Sequence, residues 1–556
     1  MSVRLISGLR VAAALTFTAV LLGGWSLSQE TQRAATASDQ PEAEVNVEGF
    51  AFDDNELGKP VHGLFQSHNH HWSYKGFGQG PFCGKTFDVE GITKAMVDCP
   101  EHEPFGIPAW FEQLASGQSL LTPHSTTGWP TFTDWPRPDS ATHNATYYKG
   151  IERAWRAGVR LYVDHLVTNR GLCMIYTPRR ASCDEMDAIR AQAQEARAFE
   201  AYVDAKSGGP GKGWYRIVGS PQEAREVIAE GKMAVILGIE TSEPFGCSRK
   251  LGKPQCTKED IDRGLDEVYD LGVRSMFLCH KYDNALCGVR FDSGTNGVVV
   301  NLGNFITTGQ FWQAETCTGP HHDNTIPPAD AGVLALLWSK LQGVVDPVTL
   351  PIYPKAPHCN KLGLTELGKY ALEGMMKRGM IVELDHQSVK AADETLKVLE
   401  EHNYSGVISG HDWMDQGYYE RVAKLGGMIT PIVEPHGHTA DIWRKVKAVA
   451  DPRYQFGFGF GLDQNGLHLS LPKAGESPRI EYPFTSYDGK AKLHKQIWGK
   501  RAWDFNTDGL AHEGLTPDWL EAVRLEAGAD AEEFVADMVN GAEAYLQMWE
   551  RAQQGR

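Results

Sequence analysis

The sequence predicts an α/β fold: a (β/α)8 TIM barrel with long loop insertions and a helical C-terminal tail. Three observations carry this expectation. Apolar strand-like runs alternate with amphipathic helical patterns along most of the chain. Several of the runs, such as Met233–Glu240 (MAVILGIE), are continuously apolar, as strands buried on both faces of a parallel sheet must be. Most of them end on a residue that can titrate or bind a metal, and in such barrels the functional face lies at the C-terminal strand ends.

Taken in order, the first strand covers 61–70 and ends in His68-Asn69-His70. Residues two apart on a strand point to one side, so both imidazoles can reach one cation. An irregular stretch, 72–143, follows, rich in Gly, Pro and aromatics (Phe77, Phe82, Trp110, Trp129, Phe132, Trp135). That composition suits a pocket wall or lid better than a linker. Next come a helix over Tyr147–Gly158, a strand over 160–169, helices over Cys183–Lys206 and Pro221–Glu230, and the strand 233–240. A helix over Ile261–Leu271 leads to strand 273–280 and then to a second long insertion, 281–361. The alternation resumes with helix Leu364–Arg378, strand 380–386, helix Ala391–His402 and strands 406–411 and 427–433. Helix Thr439–Ala450 and the Gly-rich strand 456–463 complete eight strands, all within a barrel region placed at 49–490. Residues 491–556 read as the helical extension.

The strand ends supply His68, His70, Glu240, His280, His386, His411 and Asp463. Four imidazoles and a carboxylate form a donor set suited to zinc. A carboxylate between two imidazole pairs can bridge two ions about 3.5 Å apart, with a hydroxide between them as nucleophile. Asp463 is then the expected acid/base, and His280, not needed as a ligand, the group that polarises a carbonyl.

The 54 basic and 71 acidic residues give a formal charge of −17. This argues against a nucleic-acid partner and lends no support to binding an anionic membrane. Residues 1–28 read as a signal peptide or N-terminal anchor: Arg4 and Arg10 precede the apolar run Val11–Leu22, which is short for a spanning helix. Cleavage is expected near Ser28 or within 31–37, and residues 29–48 read as a disordered lead-in. The expected location is periplasmic or secreted, with membrane attachment only through an uncleaved N-terminus. The ten cysteines all follow residue 82, which suits an oxidising compartment. Cys83/Cys99, Cys173/Cys183 and Cys247/Cys256 are expected disulfides, with Cys287/Cys317 a weaker pairing and Cys279 a buried free thiol. No CxxC pair occurs, which argues against a structural zinc site.

Several segments resemble the membrane (renal) dipeptidase family, peptidase family M19 of the amidohydrolase superfamily. They are Leu271-Gly272-Val273-Arg274 with Leu278-Cys279-His280 and Asn284; Gly363–Gly368 with Arg378–His386 (RGMIVELDH); Val407–His411 (VISGH); and Gly459–Asp463 (GFGLD). The resemblance spans most of 61–470. It implies a metal-dependent hydrolase barrel with two zinc ions, His68 and His70 on one, His386 and His411 on the other, and Glu240 shared. It also implies Asp463 as acid/base and His280 as the carbonyl-binding histidine. Three departures mark a divergent member. The first motif is His-Asn-His where the family has His-x-Asp. Thr241-Ser242 replace Gly-Gly after the glutamate. His411 is followed by Asp412 and Asp415 where the family carries a carboxylate-gripping Arg, the next Arg being Arg421. The expected activity is zinc-dependent cleavage of an amide or peptide bond in a small molecule or short peptide. An esterase, lactonase or phosphoesterase on the same site, and a non-catalytic exported binding protein, are the alternatives. A homodimer is compatible with all three.

Overall fold

The computed structural model describes residues 40–102, 109–115, 131–132, 135–176, 179–326, 351–435, 437–467 and 471–555. The expected signal or anchor, 1–28, lies outside them, as do parts of both insertions. Eight parallel strands form the centre: β1 (Leu64–Asn69), β2 (Val159–Thr168), β3 (Met233–Thr241), β4 (Val273–Phe277), β5 (Ile381–Glu383), β6 (Val407–Ser409), β7 (Met428–Ile429) and β8 (Phe460–Gly461). They follow one another in chain order around the sheet, and β8 pairs back onto β1 through Phe460↔Gln66 and Gly461↔His68. Just after β7, a parallel bridge from Ile432 to Gly461 joins the last two units and closes the ring. Gly461 must be glycine for this closure, because a Cβ there would lie 2.6 Å from Gly410 O and 3.0 Å from the His68 Cβ. A short extra strand, Tyr215–Ile217, pairs with the start of β3.

The barrel helices are α1 (Tyr148–Arg156), α2 (Glu185–Lys206), α3 (Pro221–Ala229), α4 (Lys258–Asp270), α5 (Glu366–Lys377), α6 (Val389–Glu401), α7 (Tyr419–Lys424) and α8 (His438–Ala448). Asp184, Ser220, Thr257, Thr365 and Ser388 each accept a backbone N–H at a helix start, which satisfies donors the helix itself cannot. Strands β2 and β3 are buried along their whole length; β3 is an apolar run, whereas β2 buries Arg160, Asp164 and His165 with its apolar residues.

The tail opens on strands before its helices. Lys492–Leu493 pairs antiparallel with both Phe484–Thr485 and Val47–Glu48. Residues 40–48 are therefore ordered: Ala43 is buried, and Glu42 accepts from the Tyr147 hydroxyl at 2.9 Å. The lead-in expected to be disordered over 29–48 is structured from residue 40 on, and its residues 29–39 lie outside the described residues. Helices α9 (Thr516–Ala527), α10 (Ala531–Val539) and α11 (Gly541–Gln554) then run under the barrel. Gly63 N–H donates to Val539 O and Val61 N–H to the Glu543 carboxylate, so the strand starts rest on the tail.

The cysteines fall into five pairs at disulfide distance. Cys83–Cys99, Cys173–Cys183 and Cys247–Cys256 match expectation. Cys279 is not a free thiol, and Cys287 does not pair with Cys317. The chain turns back after β4 and brings Cys287 to Cys279, Cα atoms 6.0 Å apart. Cys317 follows the strand Ala314–Thr316, whose antiparallel partner His358–Asn360 carries Cys359. No helix among the described residues is long and apolar enough to cross a membrane.

Candidate metal centre at the barrel end

Of the seven residues expected at the strand ends, the five histidines converge on the Glu240 carboxylate and Asp463 faces the His68–His70 pair. His68 and His70 leave the end of β1 with Nε2 atoms 3.1 Å apart, and they lie 3.4 and 3.1 Å from Glu240 Oε2. Glu240 Oε1 faces the opposite group: His386 Nε2 at 3.1 Å, His280 Nε2 at 3.5 Å and His411 Nε2 at 3.9 Å. The His386 and His411 Nε2 atoms are 2.9 Å apart. Asp463 Oδ1 stands 3.0 Å from His70 Nε2 and 3.7 Å from His68 Nε2. All are buried except Asp463, whose side chain is 17% exposed.

The electrostatics differ between the halves. Burial opposes charge on Glu240, but His280, His68 and His386 outweigh it and hold the carboxyl well below the usual range. Asp463 is held low in the same way by His68 and His70. Burial also opposes protonation of His68, yet Glu240 and Asp463 raise it to about 10. On the other side burial pushes His280 down to about 3 against the pull of Glu240, and it leaves His386 neutral as well.

The residues fit divalent cations. Nitrogen pairs converge at 3.1 and 2.9 Å on either side of one carboxylate, and Glu240 Oε1 is buried without a hydrogen bond. Imidazole and carboxylate together form a zinc-type donor set. His68 and His70 could hold one ion and His386 and His411 another. His280 Nε2 is nearer to Oε1 than His411 Nε2 is, 3.5 against 3.9 Å, and Glu240, His280 and His386 together form a group that could hold a metal ion.

Supporting groups orient these rings. His70 Nδ1 lies 2.8 Å from His165 O. His411 Nδ1 lies 3.1 Å from Asp385 Oδ2, and Asp385 also accepts from the backbone N–H of His411 and Trp413 and from Ser409 Oγ. The His165 ring packs tilted against His68, centroids 4.3 Å apart, and reaches Glu383 at 3.1 Å. It fits because Gly238 faces it, where a Cβ would lie 2.3 Å from the ring. Phe277 presents its ring within 6 Å of His68, His165, His386 and His411 and forms an apolar floor. His386, Asp412 and Asp463 all have positive φ (65°, 52° and 51°), a strained backbone state for such residues.

Sequence reasoning missed His165, Glu383, Asp385 and Phe277. Asp385 could have been found as the acid beside His386. His165 lies within β2, where nothing marks a functional end, and Glu383 closes β5 three residues before His386, which the strand expected over 380–386 made the functional end. Beside the centre a cavity of about 350 Å³ is lined by Arg290, Asn324, Asp412, Trp413, Asp415 and Glu434. Asp412 hydrogen-bonds Tyr419, and Asp415 pairs with His321. Arg421, the first arginine after His411, is committed to Asp393 and Glu400. Arg290 is the arginine at this cavity.

No family model and no curated protein matches the sequence. Among solved structures, the chain is similar to a metallopeptidase of family M19 described as dipeptidase AC, with 11% identity, 88% of this chain and 99% of that one covered, and a TM-score of 0.41. A metallopeptidase from Rhodobacter sphaeroides, liganded with a phosphinate mimic of the dipeptide L-Ala-D-Ala, gives 10%, 88%, 99% and 0.40. An amidohydrolase from Pseudomonas aeruginosa gives 12%, 72%, 90% and 0.39.

Proposed function

We propose that this chain is a metal-dependent hydrolase that cleaves an amide or peptide bond in a small substrate. The observation that carries the reading is the placement of Glu240: one carboxylate oxygen faces His68 and His70, the other faces His386 and His411. These five residues would hold two zinc ions. Zinc bound there supplies Lewis acidity toward a carbonyl and toward water.

The remaining chemistry belongs to side chains. Asp463 Oδ1 takes a proton from the attacking water and returns it to the leaving nitrogen as the C–N bond breaks. Its partial exposure gives it access to substrate. His280, neutral in its buried setting, donates one N–H to the carbonyl oxygen as negative charge grows there. Asp385 keeps the His411 ring aimed inward. Substrate enters from the cavity beside Trp413, where Arg290 offers a cation.

The test is elemental analysis of the purified protein together with hydrolysis of dipeptides, N-acyl amino acids and lactones. The expected result is zinc at the barrel end and turnover of an amide. Failure to hold zinc after it is added back, with no member of the panel turned over, overturns the reading.

A further inference from the structure

The insertion between β1 and α1 contains a second cluster that the proposed reaction does not use. Cys83, Cys99, His102 and His143 each offer one donor atom, and these atoms all lie within 4.8 Å of one another. The Nε2 atoms of His102 and His143 are 3.0 Å apart, and Cys99 Sγ is 3.9 Å from His143 Nε2. All four residues are buried.

The backbone holds them in place. Cys83 forms a parallel bridge with His143: its N–H donates to Thr142 O, and Asn144 N–H donates to Cys83 O. The turn Pro100–His102, closed by His102 N–H to Cys99 O, brings Cys99 and His102 to one side. The far nitrogen of His143 is also provided for. Its Nδ1 lies 3.3 Å from Glu112 Oε1, and Glu112 is itself fixed by the Thr142 N–H at 2.6 Å. Metal-bound imidazoles commonly place their second nitrogen on a carboxylate in this way.

We propose that Cys83, Cys99, His102 and His143 bind one zinc ion when the two cysteines are thiols, and that their disulfide is the metal-free state of the same pocket. Two sulfurs and two imidazole nitrogens make a closed tetrahedral set with no position for substrate, the pattern of a structural site. As the ion enters, each thiol loses one proton. Starting from the disulfide, a dithiol reductant gives two electrons and two protons to the S–S bond and closes to its own cyclic disulfide. The sequence signal is Cys99-Pro100-Glu101-His102, a CxxH in place of the CxxC whose absence had argued against such a site. The bound ion ties both ends of the insertion to the wall of the centre. Two residues beyond His143, Ala145 N–H donates to Asn465 Oδ1, and Asn465 Nδ2 donates to His70 O.

Cobalt(II) tests this without reference to hydrolysis, because the barrel-end donors include no sulfur. Full-length protein is treated with a dithiol reductant and loaded with cobalt(II), and alkylation with peptide mass analysis counts which thiols are free. The expected result is a thiolate-to-cobalt charge-transfer band in the near ultraviolet. It should be lost in Cys83→Ser/Cys99→Ser, altered in His143→Gln, and bleached by one equivalent of zinc. His143→Gln keeps both sulfurs and serves if the double variant does not fold. Three results overturn the proposal: no band while Cys83 and Cys99 are both shown to be free; a band unchanged in the variants; or a Cys83–Cys99 bond that stays closed under reductant with zinc present.

Discussion

The two histidine clusters stand on different scaffolding. At the barrel end the donors hang from the ends of β1, β3, β5 and β6 of one closed sheet and meet around a single carboxylate. In the insertion they hang from a short turn and an isolated bridge, and the Glu112 carboxylate stands behind the His143 ring, on its Nδ1, opposite the Nε2 that faces the other donors. The barrel-end cluster keeps one group, Asp463, partly open to solvent. The insertion cluster is closed on every side by protein. A site that must admit a reactant needs rigid mounting because it cannot be sealed, whereas a site that only ties loops together can be built from loops and then stiffens them.

Perturbations should separate the two clusters, and the largest effect falls on Glu240. Glu240→Gln should abolish hydrolysis and lower metal content at the barrel end, while the reduced protein keeps its thiolate–cobalt band. Full turnover with both barrel-end ions retained would end the bridging assignment. Asp463→Asn should keep metal and fold but reduce kcat by roughly a thousandfold, the scale of a lost general acid/base. Steady-state kinetics beside metal analysis decides this, and near-normal rates would point to another proton carrier. Asp385→Asn should weaken metal binding by roughly ten- to a hundredfold through the His411 ring, as measured by competition with a chelator. Cys83→Ser/Cys99→Ser should leave kcat essentially unchanged and lower the unfolding free energy by about 2–4 kcal/mol relative to the disulfide form. If turnover falls as steeply as stability, the two clusters are coupled and the contrast between them fails.

The barrel was legible because a parallel strand buried on both faces has almost no polar residues until its end. In Met233–Glu240 the carboxylate interrupts seven uncharged residues, so the site and the strand boundary are one signal. His165 stays hidden because it sits within β2, and Glu383 because the expected strand ran past it to His386; the two meet only across the closed ring, over a sequence separation of 218 residues. The insertions were opaque for a related reason. Cys317 and Cys359 are 42 residues apart, and what joins them is an antiparallel pairing that no local pattern announces. Local spacing favoured the nearer Cys287, which the turn after β4 had already directed to Cys279.

The pairing of residues 47–48 with 492–493, and of β1 with β8, has a consequence for biosynthesis. Segments made early wait for neighbours made roughly 400 residues later, which is about 20–80 s at 5–20 residues per second. Through that interval β1 has one unsatisfied edge, and its two histidines lack their shared carboxylate until residue 240 emerges. The domain therefore cannot mature in pieces. It completes only after nearly the whole polypeptide is available, and a nascent chain stalled before about residue 460 presents an open sheet edge to whatever chaperone or protease meets it first.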